Sequence, residues 1–348
     1  MTMQTTTPKI DPTYGSDEHG LVWGYEFTRD QPARRITSDE IVGLSAALDR
    51  SPSDQFLWLH FSLSNLACEP WLRQNLTLPE AFYESLHGDV GVTRLEQDGN
   101  ALVAVFHDVL FDFKFDASEV STTNLCVDQR LLVSARVRPL RSLDRLRAAV
   151  RSGQPFRSTA ELIAHLLRDQ SDVLMEILRE PLGRADEIED SLLTGLPAYR
   201  RATSRSELGS LRRVLVRLQR LLAPEPAALF RLLNRPADWI TKEDLRELQG
   251  AAEQLSAAVG SAAALVERIK LLQEELAALV AEQTSRTIFV LTVFTVLALP
   301  VNVVAGLFGM NVGGIPLQQN GSGFFLIVGA LTALTAVLAY LGLLRNRD

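Results

Sequence analysis

Six residues of one apolar segment, Ser285, Ile288, Thr292, Thr295, Leu299 and Asn302, are spaced three or four apart. On a helix they share a stripe about 100° wide. Its polar members offer hydroxyl and amide oxygens and no charge. Neutral oxygens suit a cation that keeps most of its water. Polar side chains within a membrane face a protein interior or a wet cavity, so the stripe is a candidate pore lining. A structural alternative stands beside it: threonine hydroxyls that bond back to their own helix, and an Asn302 that bridges two helices. Pro300 lies in the same segment and leaves the carbonyl of Val296 without its helical donor. Such a carbonyl is tolerated where it meets water or a neighbouring donor, or the proline simply kinks the helix for packing. Gly309-Met310-Asn311 follows where the apolar run ends. Glycine allows the backbone to leave helical geometry there. Asn311 would then present an amide oxygen at the mouth.

The elements that must carry these residues are two charge-free runs, 288–308 and 324–344, of twenty-one residues each. Each makes a helix of ~31 Å, about the thickness of a bilayer's hydrocarbon core. From Thr287 to Leu344 there is no Asp, Glu, His, Lys or Arg, and all five histidines lie at or before His165. A dehydrated zinc ion takes His, Cys or carboxylate ligands, and the hairpin offers none. A divalent ion crossing here must stay largely hydrated. One hairpin encloses no space, so several copies must surround any pore. Arg286 precedes the first run, Arg345 and Arg347 follow the second, and the loop 309–323 has no basic residue. That asymmetry predicts cytoplasmic termini and an external loop. The N-terminus lacks the pattern of a signal peptide.

Ahead of the hairpin, residues 1–140 read as a cytoplasmic α/β domain. The segments 21–27, 56–63, 101–111 and 130–137 are rich in β-branched and aromatic residues. Asp98-Gly99 marks a hairpin turn. Thr37 with Glu40 and Ser158 with Glu161 are capping boxes that open helices. Residues 141–240 read as helical, with Pro181 expected to kink or break the first long helix. Arginines crowd 200–220, which fits a solvated helix face or an acidic partner. From Leu245, apolar residues keep a 3–4 spacing through Ile269 and on to Val280, predicting a stalk helix over 241–287 that runs directly into the first span. Cys68 and Cys126 form no CxxC motif and read as ordinary thiols. A net charge of −7 argues against nucleic acid as a partner. No HExxH, GxSxG, P-loop or dinucleotide fingerprint is present, so nothing points to an enzyme or to a bound cofactor.

Residues 292–311, "TVFTVLALPVNVVAGLFGMN", with a short loop, a second span and a basic end, resemble the CorA superfamily of divalent-cation transporters. Gly309, Met310 and Asn311 match its signature tripeptide at the outer end of the penultimate span. The resemblance extends over nearly the whole chain. It implies a funnel-shaped homopentamer in a bacterial inner membrane, with the first span lining the pore and Asn311 holding a hydrated ion at the entrance. It also implies a cytoplasmic α+β domain followed by long helices. Magnesium-type members usually carry an acidic residue shortly after the tripeptide. Here Val312-Gly313-Gly314-Ile315-Pro316 is uncharged and looks like the ZntB branch, which implies zinc transport, with proton coupling associated. Mg2+, Co2+, Ni2+ or Cd2+ are the alternative cargoes. Counting back by sevens from Thr295 reaches Glu274, Glu267 and Glu253, which would make acidic rings in a cytoplasmic funnel. The plain alternative is a row of solvated glutamates.

Overall fold

The structure is a computed structural model that describes residues 15–29, 31–48, 55–88, 93–116, 118–194, 198–310 and 322–344. It divides into two compact units. The first contains residues 1–196 and 202–272, and the second residues 197–201 and 273–348.

The first unit is built on a seven-stranded sheet: β1 (Leu21–Thr28), β2 (Arg34–Ile36), β3 (Gln55–Ser62), β4 (Arg94–Asp98), β5 (Ala101–Val109), β6 (Val120–Val127) and β7 (Leu131–Arg136). The spatial order is β2-β1-β3-β7-β6-β5-β4, antiparallel except for the β3–β7 pair. The four strands expected from sequence are β1, β3, β5 and β7. The hairpin turn joins β4 to β5, with Asp98 opposite Ala101 and Gly99 at φ +59°. That φ is the left-handed geometry a tight turn requires. The three strands that escaped the sequence reading are masked by composition. β2 and β4 are short, charged edge strands, a common protection against edge pairing. β6 reads VSTTNLCV, whose hydroxyl and amide residues hide a strand that is almost wholly buried.

Short helices α1 (Ser38–Leu48), α2 (Cys68–Asn75) and α3 (Glu80–Leu86) cover one sheet face. Ile41, Leu57, Leu59, Phe61, Leu72, Phe82 and Val133 pack there into one core. Both cysteines are buried in it, and burial pushes each thiol up to about 12, so neither is a thiolate at neutral pH. Helices α4 (Arg141–Arg151), α5 (Thr159–Leu193), α6 (Ala198–Leu222) and α7 (Pro224–Leu233) follow. Both expected caps are made. The Thr37 N–H donates to the Glu40 carboxylate at 2.9 Å, and the Glu161 N–H donates to Ser158 Oγ at 3.1 Å.

Pro181, expected to kink or break the first long helix, does not break it: α5 is continuous through Pro181 over its 35 residues. Proline inside a helix costs ~3 kcal/mol or more. Pro181 itself is buried, as are Ile177, Leu178, Ala185 and Ile188 around it. Burying a large apolar side chain is worth ~1.5–3 kcal/mol, so this packing offsets the lost hydrogen bond.

α8 (Lys242–Phe308) is a single helix of 67 residues. Thr241 and Asp244 cap it reciprocally, Thr241 Oγ1 lying 2.6 Å from the carboxylate and accepting from the Asp244 N–H at 3.1 Å. Leu248, Ala252, Leu255, Val259, Ala262, Val266 and Ile269 are buried as their spacing requires. Ala251, Ala258, Leu265 and Leu272 are buried too, so the apolar band is wider than a two-position seam. Within the first unit the helix runs alongside α5, held by Ser158 to Asp244, Arg168 to Glu247, and Arg268 to Asp186 and Glu189. α9 (Gly323–Leu344) completes the second unit.

Between the sheet and its helical cover lies a buried polar layer. Glu225 of α7 accepts from the His107 N–H at 2.6 Å and from Gln170 Nε2 at 2.8 Å. Burial raises its carboxyl above the ordinary range. Asp108 accepts from the N–H and hydroxyl of Ser142 and from the Val109 N–H. Burial nevertheless pushes its carboxyl up to about 7 from an ordinary 3.8. Between those values the folded chain holds a proton that the unfolded chain has released. The stability this group contributes is therefore present at low pH and lost as pH rises through 7. Asp108→Asn keeps an oxygen for the donors and removes the titration. The difference in Tm between variant and wild type should move in the variant's favour between pH 5 and pH 8. A difference independent of pH would show that Asp108 does not titrate in that window.

Candidate functional site

The six stripe residues all lie on α8, and each is exposed in the single chain. Ile288 and Leu299 show 59% and 61% of their surface, an unusual exposure for large apolar side chains in water. Thr292 Oγ1 donates to the Ile288 carbonyl at 2.8 Å, and Thr295 Oγ1 to the Leu291 carbonyl at 2.8 Å. Thr332 and Thr335 of α9 make the same back-bonds to Val328 and Leu331, at 2.8 and 2.9 Å. Back-bonding is thus common to both helices and does not single out the first. It has a chemical consequence on either. The hydroxyl proton is spent inside the helix, and the oxygen faces outward as an acceptor.

Pro300 is inside the continuous α8, so the Val296 carbonyl has no Pro300 donor. The helix ends at Phe308. The Gly309 N–H still reaches the Ala305 carbonyl at 2.9 Å, and the Met310 N–H reaches the Leu307 carbonyl at 3.4 Å. Gly309 is not one of the glycines with positive φ. Its need is space, because a Cβ there would stand 3.1 Å from the Ala305 oxygen. Met310 is half-exposed. Asn311 and the uncharged run 312–316 lie outside the described residues.

Glu253 and Glu267 are exposed on the part of α8 in the first unit, and Glu274 is exposed in the second. Within one chain they do not converge, since helix rise separates Glu267 from Glu274 by about 10 Å and Glu253 from Glu267 by about 21 Å. Glu267 lies 3.3 Å from Lys270, a surface pair of small net energy. Among the described residues no three His, Cys, Asp or Glu side chains come close enough to hold a metal ion. The polar layer around His107 and Glu225 was not legible as a unit, because its members are separated by up to 118 positions.

Two helices are long and apolar enough to cross a membrane. One ends at Phe308 with an internal proline and a Gly-Met pair, and both lack charged residues across the apolar stretch. They are two candidate membrane spans, the first of them the end of the very long helix that begins in the seven-stranded unit. The profile described as "CorA-like Mg2+ transporter protein" matches residues 53–345, and the chain belongs to that family. It is 28% identical over 314 residues to "Divalent cation transporter CmaX" of Pseudomonas aeruginosa, covering 89% of this chain and 91% of the relative. It is 23% identical over 315 residues to "Zinc transport protein ZntB" of Yersinia enterocolitica, covering 89% and 95%. The fold matches that of full-length CmaX, with a TM-score of 0.78 at 24% identity over 94% of this chain and 99% of that one. It also matches the CorA magnesium transporter of Methanocaldococcus jannaschii, with a TM-score of 0.69 at 17% identity over 91% and 96%.

Proposed function

We propose that this divalent-cation transporter of the CorA family moves zinc, as a largely hydrated ion, through a homopentameric pore in a bacterial inner membrane. Both termini are cytoplasmic. Asn311 meets the ion at the outer mouth, and Ser285, Ile288, Thr292, Thr295, Leu299 and Asn302 line the path. The observation that carries this reading is the charge-free end of α8, where Thr292, Thr295 and Asn302 share one stripe and the Gly309-Met310-Asn311 segment follows the helix end, in a chain of the CorA family. A cation's hydration water points its hydrogens outward, and a hydroxyl whose proton is already spent can only accept them. Such a lining passes a hydrated ion without stripping it, and without a deep site that would hold it.

The uncharged loop and the ZntB relatives favour zinc. The family description names magnesium, and on that ground Mg2+, Co2+ or Ni2+ conduction is the second reading, with Cd2+ a further cargo to test.

Thr295→Val keeps the side-chain shape and removes the acceptor. Loss of a neutral hydrogen bond costs ~1 kcal/mol, which is about a fivefold slowing. We expect at least that loss of flux in liposomes containing Thr295→Val, and little change for Thr332→Val in α9. Equal effects would mean that these threonines serve only the helices.

A further inference from the structure

We propose that the first unit binds a divalent metal ion of the zinc class between His165 and Asp169 on α5. The two residues are four positions apart. That spacing sets two side chains next to each other on one helix face, as in helices that hold zinc with paired histidines. His165 Nε2 stands 3.6 Å from Asp169 Oδ2. The gap is too long for a hydrogen bond. It is close to what a metal requires: with bonds of ~2.0–2.2 Å, two ligands of a tetrahedral zinc ion lie about 3.4 Å apart. A small turn of either side chain closes the difference.

An orphaned oxygen is the second observation. Asp169 Oδ2 is shut off from solvent and has no hydrogen-bond partner. An unpaired buried acceptor is costly, most of all when it is charged, so this carboxylate lacks a cation. The neighbouring arginines do not supply one, because Arg145 is engaged by Glu176 and Arg168 by Glu247. The imidazole is held from the side by buried Phe156, edge to face with ring centres 5.4 Å apart. The side chains of His165 and Asp169 keep 22% and 15% of their surface, so the pair lies just beneath the protein surface.

The surroundings favour a cation. Asp172 is seven positions from His165 and shares its helix face. It is exposed, and its charge acts on both the His165 ring and the Asp169 carboxyl. Glu161, which also acts on the ring, is held by Arg157. With the arginines matched by their own partners, Asp169 and Asp172 leave the site negative. Asp172 is beyond bonding distance, since no three such side chains gather around one point among the described residues, and it attracts the ion through water. Two protein ligands completed by water make an open, exchangeable site. An imidazole nitrogen beside a carboxylate suits zinc, cobalt or nickel better than magnesium, which takes oxygen ligands. The site lies outside the spans and does not depend on which ion crosses them.

The test is calorimetric titration of Zn2+ into the full chain in non-ionic detergent at neutral pH, with excess Mg2+ present. A saturable zinc event with Kd below about 0.1 mM is expected. His165→Gln and Asp169→Asn should each weaken that event at least about tenfold, since losing even a group that only orients a ligand costs that much. His87→Gln is the control. His87 lies 3.3 Å from Glu69, but Arg73 already holds that carboxylate at 3.0 Å, so zinc binding should not change. Thermal unfolding without metal confirms that each variant is folded. Absence of a saturable event, its displacement by Mg2+, its persistence in both His165→Gln and Asp169→Asn, or an equal loss in His87→Gln overturns the proposal. The readout is binding and not flux, so failure here and failure of the pore reading are separate results.

Discussion

Asn311→Ala is expected to lower divalent-cation flux by at least about tenfold while the assembly stays intact. The substitution removes the one amide oxygen that the Gly-Met-Asn segment offers to an ion leaving bulk water. Hydrogen bonds involving charged partners are worth ~1.5–3 kcal/mol, and ~1.4 kcal/mol is a factor of ten. In the proposed pentamer, an ion meeting five alanines would keep its water but lose the partner that makes entry favourable. In the proposed pentamer Asn311 lies beyond the end of α8, so the native mass in detergent should remain about five times the 38.5 kDa chain. Near-normal uptake by Asn311→Ala would move the entrance elsewhere. A collapse of the native mass would make the residue a structural one.

The joint replacement of Glu267 and Glu274 by glutamine should lower the rate of zinc uptake severalfold and flatten its dependence on pH. The spans hold no ionisable side chain from Thr287 to Leu344, so nothing in them binds and releases a proton. Either protons would travel with the hydrated ion through a continuous water column, or any proton coupling would use groups elsewhere, such as the exposed glutamates of α8 that keep the heptad phase of Thr295. Five copies of each would concentrate divalent cations. Close carboxylates repel one another, and a divalent cation between them relieves that repulsion. In a single chain Glu267 has Lys270 beside it, 3.3 Å away. That lysine weakens the ring at Glu267 and leaves Glu274 the larger share. An unchanged pH profile in the double variant would remove α8 from the coupling mechanism.

The hairpin, the long helix and the polar stripe were legible because each is a periodic or compositional signal within one segment. Charge-free runs of twenty-one residues have few soluble explanations. The 3–4 spacing from Leu248 to Ile269 fixes the buried face of α8 without reference to its partner. The partner itself was not legible: only the structure pairs Arg268 with Asp186 and Glu189, about eighty positions earlier. Helix-breaking at Pro181 is a local cost that sequence shows, whereas the burial of Pro181 with Ile177, Leu178, Ala185 and Ile188, which offsets it, shows only in the folded chain. β6 was missed because its Ser, Thr and Asn side chains resemble a loop until a sheet surrounds them.

The central claim is passage of a divalent cation, zinc foremost, and ion flux tests it most directly. The purified chain in liposomes loaded with a zinc-sensitive or magnesium-sensitive dye is compared with empty liposomes, with and without a pH gradient. The account predicts rapid zinc entry, weaker magnesium entry, and a zinc rate that responds to the gradient. Magnesium entry faster than zinc would move the assignment to the second reading. No protein-dependent flux of any divalent cation would contradict the account.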